Sequence, residues 1–115
     1  IVALGGNDGL RGLPISETES SLSSIIEKSQ QSGQSVLLAG VRLPPNYGVY
    51  YNSQFADMFQ RLAGKYSVPL VPKILDQVAD NSALMQEDGT HPTAEGQKQV
   101  LENVWPPLES LLEKE

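Results

Sequence analysis

The sequence has 115 residues and a formal net charge of −6 at pH 7, and its length predicts one domain or part of one. Its acidity argues against a nucleic-acid partner, because such a partner requires a basic surface. It contains no cysteine, which excludes disulfides and thiolate metal sites.

The chain opens on the residues IVALGGNDG. Ile1–Leu4 predicts a short buried strand that ends at Gly5 and Gly6, and a glycine-rich loop is expected to continue from there to Pro14. The chain starts in mid-strand, without an initiator Met or a charged leader. We therefore expect the 115 residues to be the C-terminal part of a single longer domain.

A first helix is predicted over Glu17–Gln31. Ser16 and Glu19 have the spacing of a capping box, and Gly33 stands just past the predicted end. Val36–Ala39 is a continuous apolar run, which is typical of a strand covered on both faces.

The same alternation continues along the chain. Apolar residues recur at helical spacing from Tyr51 to Leu62, which predicts an amphipathic helix that ends near Gly64. Val68–Val71 predicts a short strand, and Pro69 favours an edge position for it because proline cannot donate a backbone hydrogen bond.

The C-terminal part predicts mainly helix. A helical turn is expected over Ile74–Ala79, and a last helix is expected after Pro92, running to Val104, interrupted at Pro106–Pro107 and resuming to Leu112. Strands that alternate with helices predict an α/β fold with a parallel sheet and helices on both faces. In such folds chemistry gathers beyond the carboxyl ends of strands, where the loops GGNDG and EDGTHP are expected.

The loop EDGTHP holds the only histidine of the chain. A general base needs a pKa near neutrality, which imidazole has, and a carboxylate on its other nitrogen to fix the tautomer. Asp88 is close enough in sequence to His91 to serve as that carboxylate. Gly89 would let the backbone fold back, and Pro92 would begin the anchoring helix. The alternative is a surface turn in which His91 has no chemical role.

The loop GGNDG carries a second polar group. Paired glycines allow a ligand to approach the backbone closely, and the amide of Asn7 could stabilise a developing oxyanion. An ordinary turn after a strand is the alternative. The glycines at positions 6, 9 and 12 do not have the dinucleotide-binding spacing, so that interpretation is weak.

In this order, the motifs GGND and DGTHP resemble the third and fifth sequence blocks of the SGNH, or GDSL, hydrolases. The stretches LGGNDGLRGLP and RLPPNYG resemble the bacterial thioesterase/lysophospholipase and arylesterase branch. The resemblance extends over essentially the whole chain and implies a flavodoxin-like three-layer α/β/α fold. It also implies a periplasmic or secreted location.

The resemblance assigns roles to particular residues. Asn7 would contribute to the oxyanion hole, Asp88 would be the triad acid and His91 the triad base. The loop from Asp8 to Pro14 would be a mobile segment over the acyl site. The expected substrate-binding residues are Gly6, Asp8, Gly9, Arg42, Leu43 and Pro44.

The chain departs from the family pattern in one respect. The blocks that carry the nucleophilic serine and an oxyanion-hole glycine precede GGND in this family, and nothing in the chain replaces them. Ser35 has the most elbow-like setting, but it lacks the closing glycine of that motif. We therefore expect the N-terminal strands to be missing from the sheet, and the serine to come from that missing segment, in cis or in trans.

The expected function is hydrolysis of an ester or thioester substrate without a cofactor or metal, with this chain alone inactive. A non-catalytic flavodoxin-like module that binds a small ligand or partner is the main alternative. A metal site of Asp8, Asp88 and His91 is a weaker one.

Overall fold

Four consecutive apolar residues, Val36–Ala39, form the centre of the fold. We describe a computed structural model that covers residues 1–88 and 91–113, and at Asn7 only the backbone. All four residues are buried, and they alternate between two apolar clusters. This alternation is expected because successive side chains of a strand point to opposite faces. A strand buried on both faces requires helices on both sides.

The sheet is small and parallel. Strand β1 (Leu38–Ala39) pairs with strand β2 (Leu70–Val71), with Leu38 opposite Leu70. On the other side of β1, Val2 forms an isolated parallel bridge with Leu38. The predicted strand over residues 1–4 is therefore reduced to this bridge. Pro69 immediately precedes β2 and only accepts a hydrogen bond, 3.0 Å from the amide of Leu38, as expected for proline beside a sheet.

One helical layer is formed by α2 (Ile15–Gln31) and α3 (Val49–Tyr66), which follow a short helix α1 (Gly6–Leu10). Their buried side chains pack with those of one face of β1, and these residues are Leu22, Ile26, Phe55, Met58, Phe59 and Leu62. Phe55 and Phe59 meet edge to face with ring centroids 5.3 Å apart, an arrangement that aromatic quadrupoles favour.

Two boundaries in this layer lie two residues from their predicted positions. Helix α2 begins at Ile15, after Pro14, so Ser16 lies inside the helix and the predicted capping box does not form. Ile15 packs against the core, which favours the earlier start. Helix α3 continues beyond Gly64 because Tyr66 also packs on the core, and it ends at Ser67 in a left-handed conformation with φ 53°.

The other layer is α4 (Ala94–Glu113). Its apolar side chains pack against the second face of the sheet, and these residues are Val100, Val104, Leu108 and Leu111. The predicted interruption at Pro106–Pro107 does not occur, because residues on both sides of the prolines pack against this face. The fold thus confirms the predicted α/β/α layers.

Between β2 and the 3-10 turn Ser82–Leu84 the chain forms consecutive turns. Within them the amide of Ala79 donates to the carbonyl of Leu75 at 3.0 Å, which is the bond of a single helical turn inside the predicted range 74–79. The side-chain amide of Asn103 on α4 donates to the carbonyls of Ile74 at 3.0 Å and Asp76 at 2.9 Å. These bonds fix the segment to α4. Among the described residues, none of the helices has both the length and the apolar character needed to cross a bilayer.

Candidate active site

The histidine loop is closed at its base by a short antiparallel pairing of residues 84–86 with residues 91–93, which we call the bracket. Met85 and Pro92 form an isolated antiparallel bridge. The amide of Gln86 donates to the carbonyl of His91 at 2.8 Å, and the amide of Thr93 donates to that of Leu84 at 2.8 Å. The bracket brings the two ends of the EDGTHP motif together. Gly89 and Thr90 lie outside the described residues.

Asp88 and His91 are paired within this loop. The Nδ1 atom of His91 lies 2.7 Å from Oδ2 of Asp88, and the backbone amide of His91 donates to Oδ1 at 3.1 Å. An ionised carboxylate only accepts hydrogen bonds, so the proton of a neutral ring belongs on Nδ1. The Nε2 atom then keeps a lone pair that can accept a proton. The His91 side chain is 68% exposed and that of Asp88 is 47% exposed, so the pair is open to solvent.

Helix α4 anchors the C-terminal end of this loop. The hydroxyl of Thr93 accepts a hydrogen bond from the amide of Gly96 at 3.2 Å, which is the usual bond of a helix N-cap. The helix therefore begins at Ala94, after Pro92 as predicted, with Thr93 rather than Pro92 at its N-terminal boundary. Gly96 is buried against the carbonyl oxygen of Leu84, and this contact joins the helix to the bracket.

The GGNDG motif forms the start of α1, where a loop was predicted. Gly5 precedes the helix with φ +102°, a conformation that favours glycine. Gly6 and Asp8 are half-buried, and Asp8 accepts a hydrogen bond from the hydroxyl of Thr18 at 3.1 Å. The predicted role of Asn7 depends on its side chain, which lies outside the described part of the structure.

The other glycine predicted to bind substrate lies in the core. Gly9 is buried, and a β-carbon there would come within 2.8 Å of Leu43 and 2.9 Å of Phe55. A side chain at this position would therefore collide with the core. The structure thus shows a packing reason for Gly9.

Two tyrosine hydroxyls hold the segment that follows α1. Tyr47 donates to the carbonyl of Leu10 at 2.6 Å, and Tyr51 donates to that of Leu13 at 2.6 Å. Burial raises the pKa of Tyr51, and the charges of Asp8 and Tyr47 raise it further. Neither hydroxyl was predicted from the sequence. The available signal was the spacing of four residues between Tyr47, in the stretch RLPPNYG, and Tyr51, at the start of the predicted helix.

Three consecutive residues predicted to bind substrate, Arg42, Leu43 and Pro44, occupy different environments. Arg42 is exposed, whereas Leu43 is 9% exposed and belongs to the core, and both line an open cleft of about 670 Å³. The cleft separates the start of α3 from the turns after β2. Pro44 is exposed, and its carbonyl accepts a hydrogen bond from the side-chain amide of Asn52 at 3.1 Å.

The two motif loops lie beyond the carboxyl ends of parallel elements, since GGNDG follows the bridge at Val2 and EDGTHP follows β2. GGNDG follows its bridge directly, whereas EDGTHP comes after the turns that follow β2 and after the 3-10 turn Ser82–Leu84. Asp88 and His91 are brought into direct contact, whereas Asp8 bonds to Thr18. Within the described ranges, no cluster of three or more His, Cys, Asp or Glu side chains could hold a metal ion.

Comparison with known proteins agrees with these features. The family model of the GDSL-like Lipase/Acylhydrolase family matches residues 1–99, and the chain belongs to that family. It is 42% identical to esterase TesA of Pseudomonas aeruginosa over 112 residues, covering 97% of this chain and 56% of TesA.

A second relative is thioesterase 1/protease 1/lysophospholipase L1 of Escherichia coli (strain K12). The identity is 40% over 97 residues, covering 84% of this chain and 47% of the relative. A crystal structure of TesA superposes with a TM-score of 0.91 at 42% identity, covering 96% of this chain and 63% of that one. The chain thus spans about half the length of these curated relatives.

Proposed function

We propose that this chain supplies the base, the acid and one oxyanion donor of a carboxylic ester or thioester hydrolase. The contact between Asp88 and His91 carries the proposal, because it leaves Nε2 as the proton acceptor of the pair. Membership of the GDSL-like family and the names of the relatives support ester and thioester substrates. The nucleophilic serine comes from a segment outside these 115 residues.

The reaction proceeds in two halves. Nε2 of His91 takes the proton of the serine hydroxyl as its oxygen attacks the substrate carbonyl, and Asp88 stabilises the imidazolium that forms. The tetrahedral intermediate collapses when His91 gives this proton to the departing alcohol or thiol. Water then attacks the acyl-enzyme with His91 again as base, and the carboxylic acid leaves with the serine restored.

Asn7 is proposed to hold the oxyanion in both halves. The motif GGND and membership of the GDSL-like family support this role, and Asn7 lies in α1, shortly after the bridge at Val2. A positioned side-chain amide is most effective where negative charge develops in the transition state.

We propose that the nucleophile-bearing segment binds at the edge of the sheet formed by Val2. An open groove of about 850 Å³ runs beside residues 1–4. Ile1 is 66% exposed and Leu4 is 57% exposed. Helix α4 also presents apolar side chains to solvent, at Leu101, Trp105 and Leu112. A strand and a helix from another segment would cover these surfaces.

The proposed binding surface at Val2 can be tested without an activity assay. Light scattering should show that the 115-residue chain associates with itself when alone and forms a defined complex once the nucleophile-bearing segment is added. A stable monomer that does not bind the added segment would contradict the proposed binding surface.

The chemistry can be tested with a chimera. The alignment with this chain covers 56% of TesA. In the chimera, the part of TesA that precedes the aligned region is joined ahead of Ile1. A fluorophosphonate reagent should label the serine of this chimera, and His91→Ala should abolish labelling because the serine then lacks its base. A folded chimera that is not labelled would favour the non-catalytic module. The isolated chain should not be labelled.

A further inference from the structure

Gln86 makes two hydrogen bonds to the backbone of the histidine loop. Its backbone amide donates to the carbonyl of His91 at 2.8 Å, and its side-chain amide donates to the carbonyl of Pro92 at 3.1 Å. One residue therefore holds two successive carbonyls, beginning at the histidine itself.

The imidazole needs such support because packing does not supply it. The His91 side chain is 68% exposed, and its carboxylate partner Asp88 is 47% exposed. The direction of the ring therefore depends on the hydrogen bonds of its own backbone and of Nδ1. The carboxylate of Asp88 accepts a hydrogen bond from the backbone amide of His91 at 3.1 Å. The backbone amide of Gln86 donates to the carbonyl of His91.

We propose that Gln86 is a positioning residue for His91, and that its side-chain amide keeps Nδ1 of the ring on Asp88. Any non-proline residue at position 86 could form the backbone bond, but the second bond needs a side-chain donor of suitable length. The catalytic meaning of this role rests on the proposed function. Its effect on the ring does not.

The single histidine of the chain allows a direct test by ¹⁵N NMR. In the wild-type chain the two ring nitrogens should give well-separated shifts, as expected for a neutral ring with its proton fixed on Nδ1. Gln86→Met removes the amide at nearly constant size and charge. It should draw the two shifts together, because a ring released from Asp88 samples both tautomers.

Gln30→Met is the matched control. The side-chain amide of Gln30 also donates to a backbone carbonyl, that of Tyr66, at the same 3.1 Å and in an exposed position. The control should change the melting temperature as much as Gln86→Met does and leave the ring shifts unchanged. Wild-type shifts in Gln86→Met, or equal changes in both variants, would overturn the positioning role.

The TesA chimera provides the kinetic measurement. Gln86→Met should lower kcat about tenfold with little change in KM, because a misplaced base affects the transition state more than substrate binding. An unchanged kcat in an active chimera would overturn the proposal. A chimera without hydrolytic activity would count against the proposed function, and the NMR comparison would still decide the role of Gln86.

Discussion

Gly96 on α4 and Leu84 at the end of the 3-10 turn are in direct contact, and a β-carbon at Gly96 would overlap the Leu84 carbonyl oxygen. The same hypothetical atom would lie 3.0 Å from Pro92 and 3.2 Å from Val78. Leu84 also accepts the amide of Thr93 at 2.8 Å. The close approach of helix and turn therefore sets the position of the bracket below His91.

Gly96→Ala should destabilise the protein. Overpacking at a backbone contact costs about 1–3 kcal/mol, which exceeds the gain of up to about 1 kcal/mol from replacing a helical glycine by alanine. Gly64→Ala in α3 is the control, because a β-carbon there meets nothing within 4 Å. Urea unfolding should show a loss for the first variant and a gain for the second. Equal gains in both would refute the proposed contact.

Tyr51→Phe should loosen the segment after α1. The variant removes the 2.6 Å bond to the Leu13 carbonyl at almost constant shape, and a lost hydrogen bond of this kind costs about 1 kcal/mol. Hydrogen exchange at residues 10–13 should accelerate. Tyr50→Phe is the control, since Tyr50 is 79% exposed, and unchanged exchange in Tyr51→Phe would contradict the interpretation.

The raised pKa of Tyr51 also predicts a pH dependence. A phenol whose pKa is higher in the folded state stabilises the protein fully below its unfolded pKa of about 10. That contribution is lost as the pH rises through the folded value. Wild type should therefore lose more stability than Tyr51→Phe above about pH 10, and parallel alkaline losses would argue against this contribution.

Arg61→Ala should lower the free energy of unfolding only slightly at neutral pH. It should also change how that free energy falls as the pH is lowered. Arg61 donates to Glu19 at 2.7 Å and thereby lowers the pKa of Glu19, against the opposing effect of burial. A lowered carboxylate pKa stabilises the folded state above the unfolded value and loses this effect as the pH falls through the folded one. The loss at pH 7 should be below about 1 kcal/mol, since the pair lies near the surface.

Lys98→Ala is the control for Arg61→Ala. Lys98 lies 3.3 Å from Glu95, and both side chains are more than 70% exposed. Unfolding followed from pH 3 to 7 should show a reduced pH dependence only in Arg61→Ala. The same acid limb in Arg61→Ala and wild type would exclude the proposed effect on Glu19.

Asn7→Ala in the TesA chimera should reduce turnover much more than substrate binding. One oxyanion donor typically contributes about 3 kcal/mol to the transition state, roughly a hundredfold in rate. A carbonyl oxygen in the ground state gains less from the same donor. Steady-state kinetics should therefore show a lower kcat at a similar KM. A change confined to KM would indicate a ground-state binding role.

The sequence predicts the layers of this fold because strong local patterns specify them. The run Val36–Ala39 has no polar face, and the helical spacing from Tyr51 to Leu62 leaves one apolar stripe. The errors occur where packing overrides local signals. Ile15 extends α2 past a plausible cap, and contacts on both sides of Pro106–Pro107 keep α4 continuous.

The candidate site was only partly readable from sequence. The pairing of Asp88 with His91 follows from a spacing of three residues, which one turn can close. The side-chain hydrogen bond of Gln86 to Pro92 depends on the bracket. The close packing of Gly9 against Phe55 depends on two elements that are far apart in sequence. Neither has a local sequence signal.

Ester hydrolysis by the TesA chimera tests the central claim most directly. Turnover of a short-chain aryl ester is compared in wild type, His91→Ala and Asp88→Asn, with folding checked by circular dichroism. His91→Ala should lose about a thousandfold or more in kcat, and Asp88→Asn should lose less because the imidazole remains, in the wrong tautomer. If a folded His91→Ala chimera keeps most of its turnover, His91 is not the base and the account is wrong.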